Sequence, residues 1–333
     1  MKILLLAVAL GTCSVLAHAK APIGIIIHGG AGTISRDSMT PAQEQAYHAM
    51  LTHAVNQGYS VLERGGSSLD AVTAAVTVLE DSPLFNAGKG AVYTFDETHE
   101  LDASIMDGRN RAAGAVAGVT NVKNPILLAR AVMEKSVHVM LSGKGAEQFA
   151  KEQQLELVEN SYFNTEFRYE ALKRAKQAIV PQPHQAAMPY DPAWKMGTVG
   201  AVAIDKKGNL AAATSTGGMT AKGYGRIGDA PIIGAGNFAD NSSCAVSATG
   251  HGEFFIRYQV ASDICARVKY QKIAANTAAR QVLAELKQVG GDGGVIVVDN
   301  KGQLSWVFNT EGMYRAQKTE GGKVISEIFA ETN

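Results

Sequence analysis

G-T-V-G-A-V-A-I-D-K-K-G-N-L-A-A-A-T-S-T-G-G-M, residues 197–219, reads as a β-hairpin. An apolar run (198–204) enters the turn Asp205-Lys206-Lys207-Gly208-Asn209, and a second apolar run (210–216) leaves it. The pattern returns as G-V-I-V-V-D-N-K-G-Q-L-S-W-V-F-N-T-E-G-M, residues 294–313. At one offset Asp205 matches Asp299, Gly208 matches Gly302, Leu210 matches Leu304, Thr216 matches Thr310 and Met219 matches Met313. Turn chemistry accounts for the recurrent Asp-x-x-Gly. It does not account for the shared Thr-x-Gly-Met beyond the return strand. Two helical stretches are expected between the hairpins, over 253–288. Strands in blocks, with helices between the blocks, predict helices layered on antiparallel sheets rather than alternating βαβ units.

Upstream, Gly24-Ile25-Ile26-Ile27-His28 reads as a buried strand entering the turn Gly29-Gly30-Ala31-Gly32. Residues 41–65 carry helical spacing, and Ser67 or Ser68 can cap a second helix over 69–79. A glycine-rich loop follows at 83–90. Residues 91–106 read as strand, turn, strand, 113–119 as a strand, and 125–135 and 145–153 as helices. From about Leu155 the periodicity fades, and Pro189-Tyr190-Asp191-Pro192 cannot continue a helix. Residues 155–197 are therefore expected to form a flexible tail.

Thirty-one basic and 31 acidic residues balance over 333 positions. With no basic run in the body of the chain, the sequence argues against a nucleic-acid partner. Met1-Lys2, the apolar run 3–10 and the closing Ala17-His18-Ala19 have the form of a secretory signal peptide over residues 1–19. The run is too short to span a bilayer, and Thr12 before Cys13 argues against a lipoprotein. The expectation is export, to the periplasm in a Gram-negative source, with no membrane anchor. Cys13 lies within that segment; Cys244 and Cys265 remain, and are expected to be buried free thiols.

Several chemistries can be weighed from the residues. His28-Gly29-Gly30-Ala31-Gly32 suggests an esterase oxyanion loop, but no G-x-S-x-G elbow occurs. It also lacks the spacing of a phosphate-binding turn, so close backbone approach at a strand end is the plain reading. No H-E-x-x-H occurs among the eight histidines, and the carboxylates of Asp102 and Asp107 read as turn or surface groups. Thr198 differs. A threonine hydroxyl needs a base, and its own α-amine can serve. Such amines titrate at about 8, near working pH. An internal threonine has only a non-basic amide nitrogen, so this chemistry requires the Gly197–Thr198 bond to be cut. Gly197, without a Cβ, tolerates strained dihedrals and leaves its carbonyl open to the Thr198 hydroxyl.

G-T-V-G-A-V-A-I-D, T-S-T-G-G-M-T, G-R-I-G-D-A-P-I-I-G-A-G, T-G-H-G-E and F-N-T-E-G-M-Y-R together resemble the plant-type L-asparaginase/isoaspartyl peptidase family of N-terminal-nucleophile hydrolases. H-G-G-A-G, L-F-N-A-G-K-G-A-V-Y-T and H-E-L-D-A-S-I-M-D-G extend the resemblance over nearly all of the mature chain. It implies an α+β fold, a four-layer αββα sandwich, and a precursor that cleaves itself into an α chain (20–197) and a β chain (198–333) forming one folded domain. Two such heterodimers would pair as (αβ)2. Thr198 would be the nucleophile and Thr216 would orient its hydroxyl. Arg226 and Asp229, in the run Arg226-Ile227-Gly228-Asp229, would hold the substrate's α-carboxylate and α-ammonium. Thr249 and Gly250 would face the oxyanion, with His251 and Gly252 completing the substrate loop. Asn86 would position the Gly197 carbonyl or the catalytic water. No cofactor is implied for catalysis. A structural sodium would sit on the backbone carbonyls of Leu79, Glu80, Ser82, Phe85, Ala87 and Lys89, oxygen ligands that suit a hard cation. The implied substrates are isoaspartyl dipeptides and L-asparagine, attacked at the side-chain carbonyl through a β-aspartyl ester.

Gly197 also separates the chain from glycosylasparaginases, which carry Asp before the nucleophile, and the short clamp loop separates it from taspase-like proteases. An alternative of another class is an exported binding protein for aspartyl compounds, uncut and inert.

Overall fold

The computed structural model describes residues 22–178 and 197–330. The expected signal peptide and residues 179–196 of the expected tail lie outside the described residues. The hairpins quoted above form in two different sheets. β1 (Gly24–Gly32), β2 (Leu101–Asp107), β3 (Ala113–Val119), β4 (Met140–Ser142), β5 (Val199–Ile204) and β6 (Leu210–Thr216) belong to the larger. The smaller takes β7 (Asn237–Ala239), β8 (Cys244–Gly250), β9 (Gly293–Asp299) and β10 (Leu304–Phe308). β11 (Gly312–Thr319) and β12 (Ile325–Phe329) return to the larger one. The orders are β12-β11-β1-β5-β6-β2-β3-β4 and β10-β9-β8-β7. Pairing is antiparallel throughout except between β3 and β4.

The strands are apolar on both faces because both faces are covered. Side chains alternate across a strand. On β5, Val199, Ala201 and Ala203 enter the cluster shared with α1 (Pro41–Glu63), α2 (Ser68–Asp81) and α3 (Pro125–Lys135), while Val202 and Ile204 enter the cluster between the sheets. β9 does the same on the far side. Its Val295 and Val297 meet α7 (Val260–Ala266) and α8 (Ala275–Gln288), while Ile296 and Val298 face the larger sheet. The result is the αββα sandwich. Both hairpin turns close alike: Asp205 accepts from the backbone N–H of Lys207 and Asn209, and Asp299 from those of Lys301 and Gln303. Gly208 and Gly302 take φ of 78° and 83°, which favours glycine.

Four expectations need correction. Residues 155–197 are not all loose tail: beyond α4 (Gly143–Glu152), α5 (Glu166–Ala178) is a helix. Its inward face is only Arg168, Leu172 and Ala175 on an otherwise polar helix, so its period is faint. Residues 91–94 form no strand beyond a Thr94–Lys222 bridge, because the N–H groups of Ala91, Val92 and Thr94 go to Gly88 O, Asn86 Oδ1 and Thr98 O instead of a neighbouring strand. The first helical stretch after Gly252 is broken at Gln259 (φ 49°) into α6 (Gly252–Tyr258) and α7, which turns α7 down onto β8. Cys244 and Cys265 are buried as expected but joined in a disulfide, since that turn brings α7 against β8.

Candidate active site

β5 begins at Val199, so Thr198 stands at the mouth of the sheet, between β1 and β6. It is buried, and its hydroxyl donates to Thr216 Oγ1 at 3.2 Å. Thr216 is the last residue of β6, and the same Oγ1 accepts the Gly218 N–H at 3.0 Å. That bond fixes the Thr216 side chain toward Thr198. Gly197 takes φ +60°, in the left-handed region that glycine enters freely. It lies against Gly30: a Cβ on Gly30 would fall 2.2 Å from the Gly197 Cα. The Gly29-Gly30 pair is also a bulge in β1, where register shifts between His28 and Gly30. H-G-G-A-G is thus a close-approach motif, pressed on Gly197 beside its bond to Thr198.

Beneath it runs a buried polar chain. His28 Nδ1–H donates to the Thr198 carbonyl at 3.0 Å, so Nε2 accepts from Ser247 Oγ at 2.9 Å. Ser247 meets Thr214 Oγ1 at 2.8 Å, which accepts from Asn237 Nδ2 at 3.1 Å. Burial lowers the His28 pKa to about 3 against the opposing Thr198 bond, so the ring is neutral. Four strands of both sheets converge on this row, which explains how one threonine is held so firmly.

The second group sits on the loop after β6 and at the start of α6. Arg226 makes a two-pronged pair with Glu253, Nε and Nη2 each at 2.9 Å from a carboxylate oxygen. Such a fork fixes the plane of the guanidinium. Asp229 is buried with Oδ2 lacking a hydrogen bond among the described residues. Burial pushes its pKa up to about 7, against the pull of Arg226. An unpartnered buried carboxylate oxygen beside a fixed guanidinium is an arrangement that a zwitterion completes. Gly252 lets α6 close on this pair, because its Cβ would lie 2.8 Å from Arg226 Nη2 and 3.0 Å from Asp229 Oδ1. Ser104 of β2 anchors the loop through the Ala230 carbonyl at 2.5 Å. Asp102 ties the two groups together. It pairs with Thr216 across β2 and β6, its carboxyl is raised by burial, and it feels both Lys222 and Arg226. Asp102 and Asp107 form no acid pair of their own, since Asp107 takes Arg109.

Thr249 Oγ1 accepts the Ala31 N–H at 3.3 Å, which places the end of β8 beside the bulge under Gly197. Gly250 packs on Gly293, His251 lies 3.3 Å from Glu253, and Gly228 packs on Arg226 Nη1. Ile227 is part-exposed and touches none of these groups by hydrogen bond or ion pair. Asn86 bonds to backbone on both sides of its amide. Its Nδ2 donates to Gly218 O at 2.7 Å and its Oδ1 accepts from Val92 N at 3.0 Å. The amide therefore pins the turn after Thr216. The loop 79–90 is folded so tightly that a Cβ at Gly88 would lie 2.3 Å from Glu80 O, and one at Gly90 2.1 Å from Phe85 O. Among the described residues no cluster of His, Cys, Asp and Glu could hold a metal ion.

His28 and Glu253 were missed as site residues. His28 had a signal, a polar residue ending an otherwise apolar strand. Glu253 stands in T-G-H-G-E, but only the fold reveals that it faces Arg226.

The family described as Asparaginase matches residues 21–327. The chain belongs to it. This is a family of N-terminal-nucleophile hydrolases, in keeping with the sandwich and with Thr198 at its mouth. Among curated relatives, the isoaspartyl peptidase of Escherichia coli (strain K12) is 52% identical over 308 residues, covering 92% of this chain and 96% of that one. The putative isoaspartyl peptidase/L-asparaginase of Dictyostelium discoideum is 47% identical, covering 87% and 92%. The isoaspartyl peptidase/L-asparaginase of Homo sapiens is 42% identical, covering 86% and 89%.

Proposed function

We propose that this member of the Asparaginase family cuts its own Gly197–Thr198 bond and then hydrolyses L-aspartyl side-chain amides, both isoaspartyl dipeptides and L-asparagine. The observation that carries the reading is the Thr198–Thr216 hydroxyl pair at 3.2 Å, beside a left-handed Gly197 pressed on Gly30. In the precursor Thr198 Oγ attacks the Gly197 carbonyl, and the ester formed is hydrolysed. The freed Thr198 amine is then the base for its own hydroxyl. In turnover, Arg226 and Asp229 hold the α-carboxylate and α-ammonium, which leaves one carbonyl, that of the side chain, in front of Thr198. Attack gives a β-aspartyl ester on Thr198 and releases ammonia or an amino acid; water releases aspartate. Thr249 and Gly250 act on the oxyanion. Loss of one such donor costs about 10²–10³ in rate.

Finer features belong to the same reading. Cleavage yields α (20–197) and β (198–333) chains, assembled as (αβ)2. Residues 1–19 direct export to the periplasm, an idea supported by a family match that starts at residue 21. The carbonyls of Leu79, Glu80, Ser82, Phe85, Ala87 and Lys89 hold a structural sodium. The crowding at Gly88 and Gly90 supports this, because it leaves no side chain to fill the cradle beside Glu80 O and Phe85 O.

Intact-mass and N-terminal analysis of the purified protein tests the first step. A β chain starting at Thr198 is expected. A stable single chain of full mature mass would sink the enzyme reading in favour of an inert binding protein. Release of product from L-asparagine and from β-Asp-Leu then tests the second.

A further inference from the structure

Arg168 on α5 is buried, at 2% exposure, and its Nε donates to the Gly90 carbonyl at 2.8 Å. That is its one side-chain hydrogen bond among the described residues. Among the described residues its charge feels the hydroxyls of Tyr47 and Tyr314 but no carboxylate, and burial lowers its pKa. The Phe167 ring, 5.2 Å away and half exposed, is a weak compensation. A buried cation without an anion is costly, and such groups are found paired. Arg168 opens instead onto a small pocket with room for about one water, lined also by Gly30, Tyr47, Asn86, Tyr314 and Gly197. Gly197 is neutral while its bond to Thr198 is whole. Cleavage changes that. Thr198 Oγ adds to the Gly197 carbonyl carbon, the C–N bond breaks, and the nitrogen keeps the hydroxyl's proton. One water then splits the ester, restores the hydroxyl and leaves a carboxylate on Gly197.

We propose that Arg168 is the built-in receptor for the Gly197 carboxylate made by self-cleavage, holding the new α-chain terminus in this cavity and clear of the Thr198 amine. The assignment rests on cleavage at Gly197–Thr198, as set out above. The missing anion of the precursor is thus supplied by its own maturation. Pairing favours the cut state over the uncut one by whatever Arg168 gains.

A stability cycle tests it with the full mature chain. Arg168→Met and Arg168→Lys are made in the wild-type background and in the uncut Thr198→Ala background. Melting temperature and β-chain formation are followed in each. In uncut protein Arg168→Met should leave the melting temperature unchanged or raise it, because it removes an unpaired buried charge. In cut protein it should lower it by several degrees, and Arg168→Lys should restore part of the loss. An Arg168→Met chain that melts normally when uncut yet fails to cut would overturn it, because Arg168 would then act before the carboxylate exists. Equal shifts in both backgrounds, with normal cutting, would overturn it as mere helix packing. A wild-type chain that never cuts would overturn the cleavage reading on which it stands.

Discussion

His28 holds Thr198 by its carbonyl, not by its hydroxyl: Nδ1 lies 3.0 Å from Thr198 O while the Thr198 hydroxyl points to Thr216. One residue is thereby fixed at two ends. His28→Ala should strip that carbonyl of its His28 donor, leave the Ser247 hydroxyl with Thr214 alone and open a cavity, costing about 2–4 kcal/mol of stability. Self-cleavage should slow at least about tenfold, since orientation is lost. Because the folded pKa of about 3 lies below the ordinary 6.5, the unfolded state binds more protons between these values. Stability from His28 is thus complete above pH 6.5 and is lost as pH falls toward 3. Urea midpoints at pH 7 and 4.5 should show the gap between wild type and His28→Gln narrowing in acid; a constant gap contradicts the neutral-ring assignment.

Thr198→Ala should abolish both cutting and turnover. Thr216→Val keeps the shape but removes the acceptor of the Thr198 proton, and should lower kcat about 10²–10³-fold with little change in KM. Cutting that persists in Thr198→Ala would mean an outside protease does the work.

The Arg226–Glu253 fork sets the plane of the clamp. Glu253→Gln keeps the shape and loses the charge, so the guanidinium should be held less firmly. KM for L-asparagine should rise several-fold while kcat changes less, and Arg226→Lys should be more severe because lysine has no planar fork. A kcat loss at unchanged KM would argue that Glu253 acts in chemistry, not in placing Arg226.

Asp229 must be ionised to meet an ammonium group, yet burial raises its pKa to about 7 in the free protein. The acid limb of kcat/KM, which reports the free enzyme, should bend near pH 7. Bound substrate supplies the missing cation, so the kcat profile should lack that bend or show it at lower pH. Asp229→Asn should weaken both profiles and erase the kcat/KM limb; an unchanged limb would assign it to the Thr198 amine.

Glu80 gives the opposite sign. Its carboxyl accepts from Ser215 Oγ and Ile126 N, yet burial raises its pKa to about 8. Its stability contribution is full below about pH 4.5 and is lost as pH rises toward 8. Glu80→Gln should therefore flatten the decline in melting temperature between pH 5 and 8. A decline of the same slope would locate it elsewhere.

The strands β1, β2, β3, β5, β6, β8, β9 and β10 are legible as apolar runs, with Asp and Gly in the turns of both hairpins, whereas the short or partly exposed β4, β7 and β12, and β11, give no such run. Thr198, Arg226 and Asp229 stand in linear motifs, and Asp102 is register partner to Thr216 while feeling the charge of Arg226. What escaped was set by contacts distant in sequence. α5 buries three positions, too few to mark a period. Glu253 and Arg226 are separated by a strand pair and a loop. The motif L-F-N-A-G marks Asn86 for the Gly197 carbonyl or a water, but not its bonds to Gly218 and Val92, which appear once the loop folds. The Cys244–Cys265 pair depends on a left-handed Gln259, which no pattern announces.

β1 lies between β5 and β11, and β2 against β6, so the segments on either side of Gly197 are interleaved within one sheet. The one disulfide among the described residues joins two cysteines on the same side of that bond. Severing it therefore leaves two pieces held by strand pairing, shared core packing and side-chain bonds, with no covalent link among the described residues. Before the cut, folding is a first-order event of a single chain. Afterwards, any complete unfolding releases two molecules that must find each other again, and recovery becomes second-order in concentration. A matured molecule diluted out of denaturant should regain its structure poorly where its precursor regains it well, so that its working life is set by how slowly it first opens.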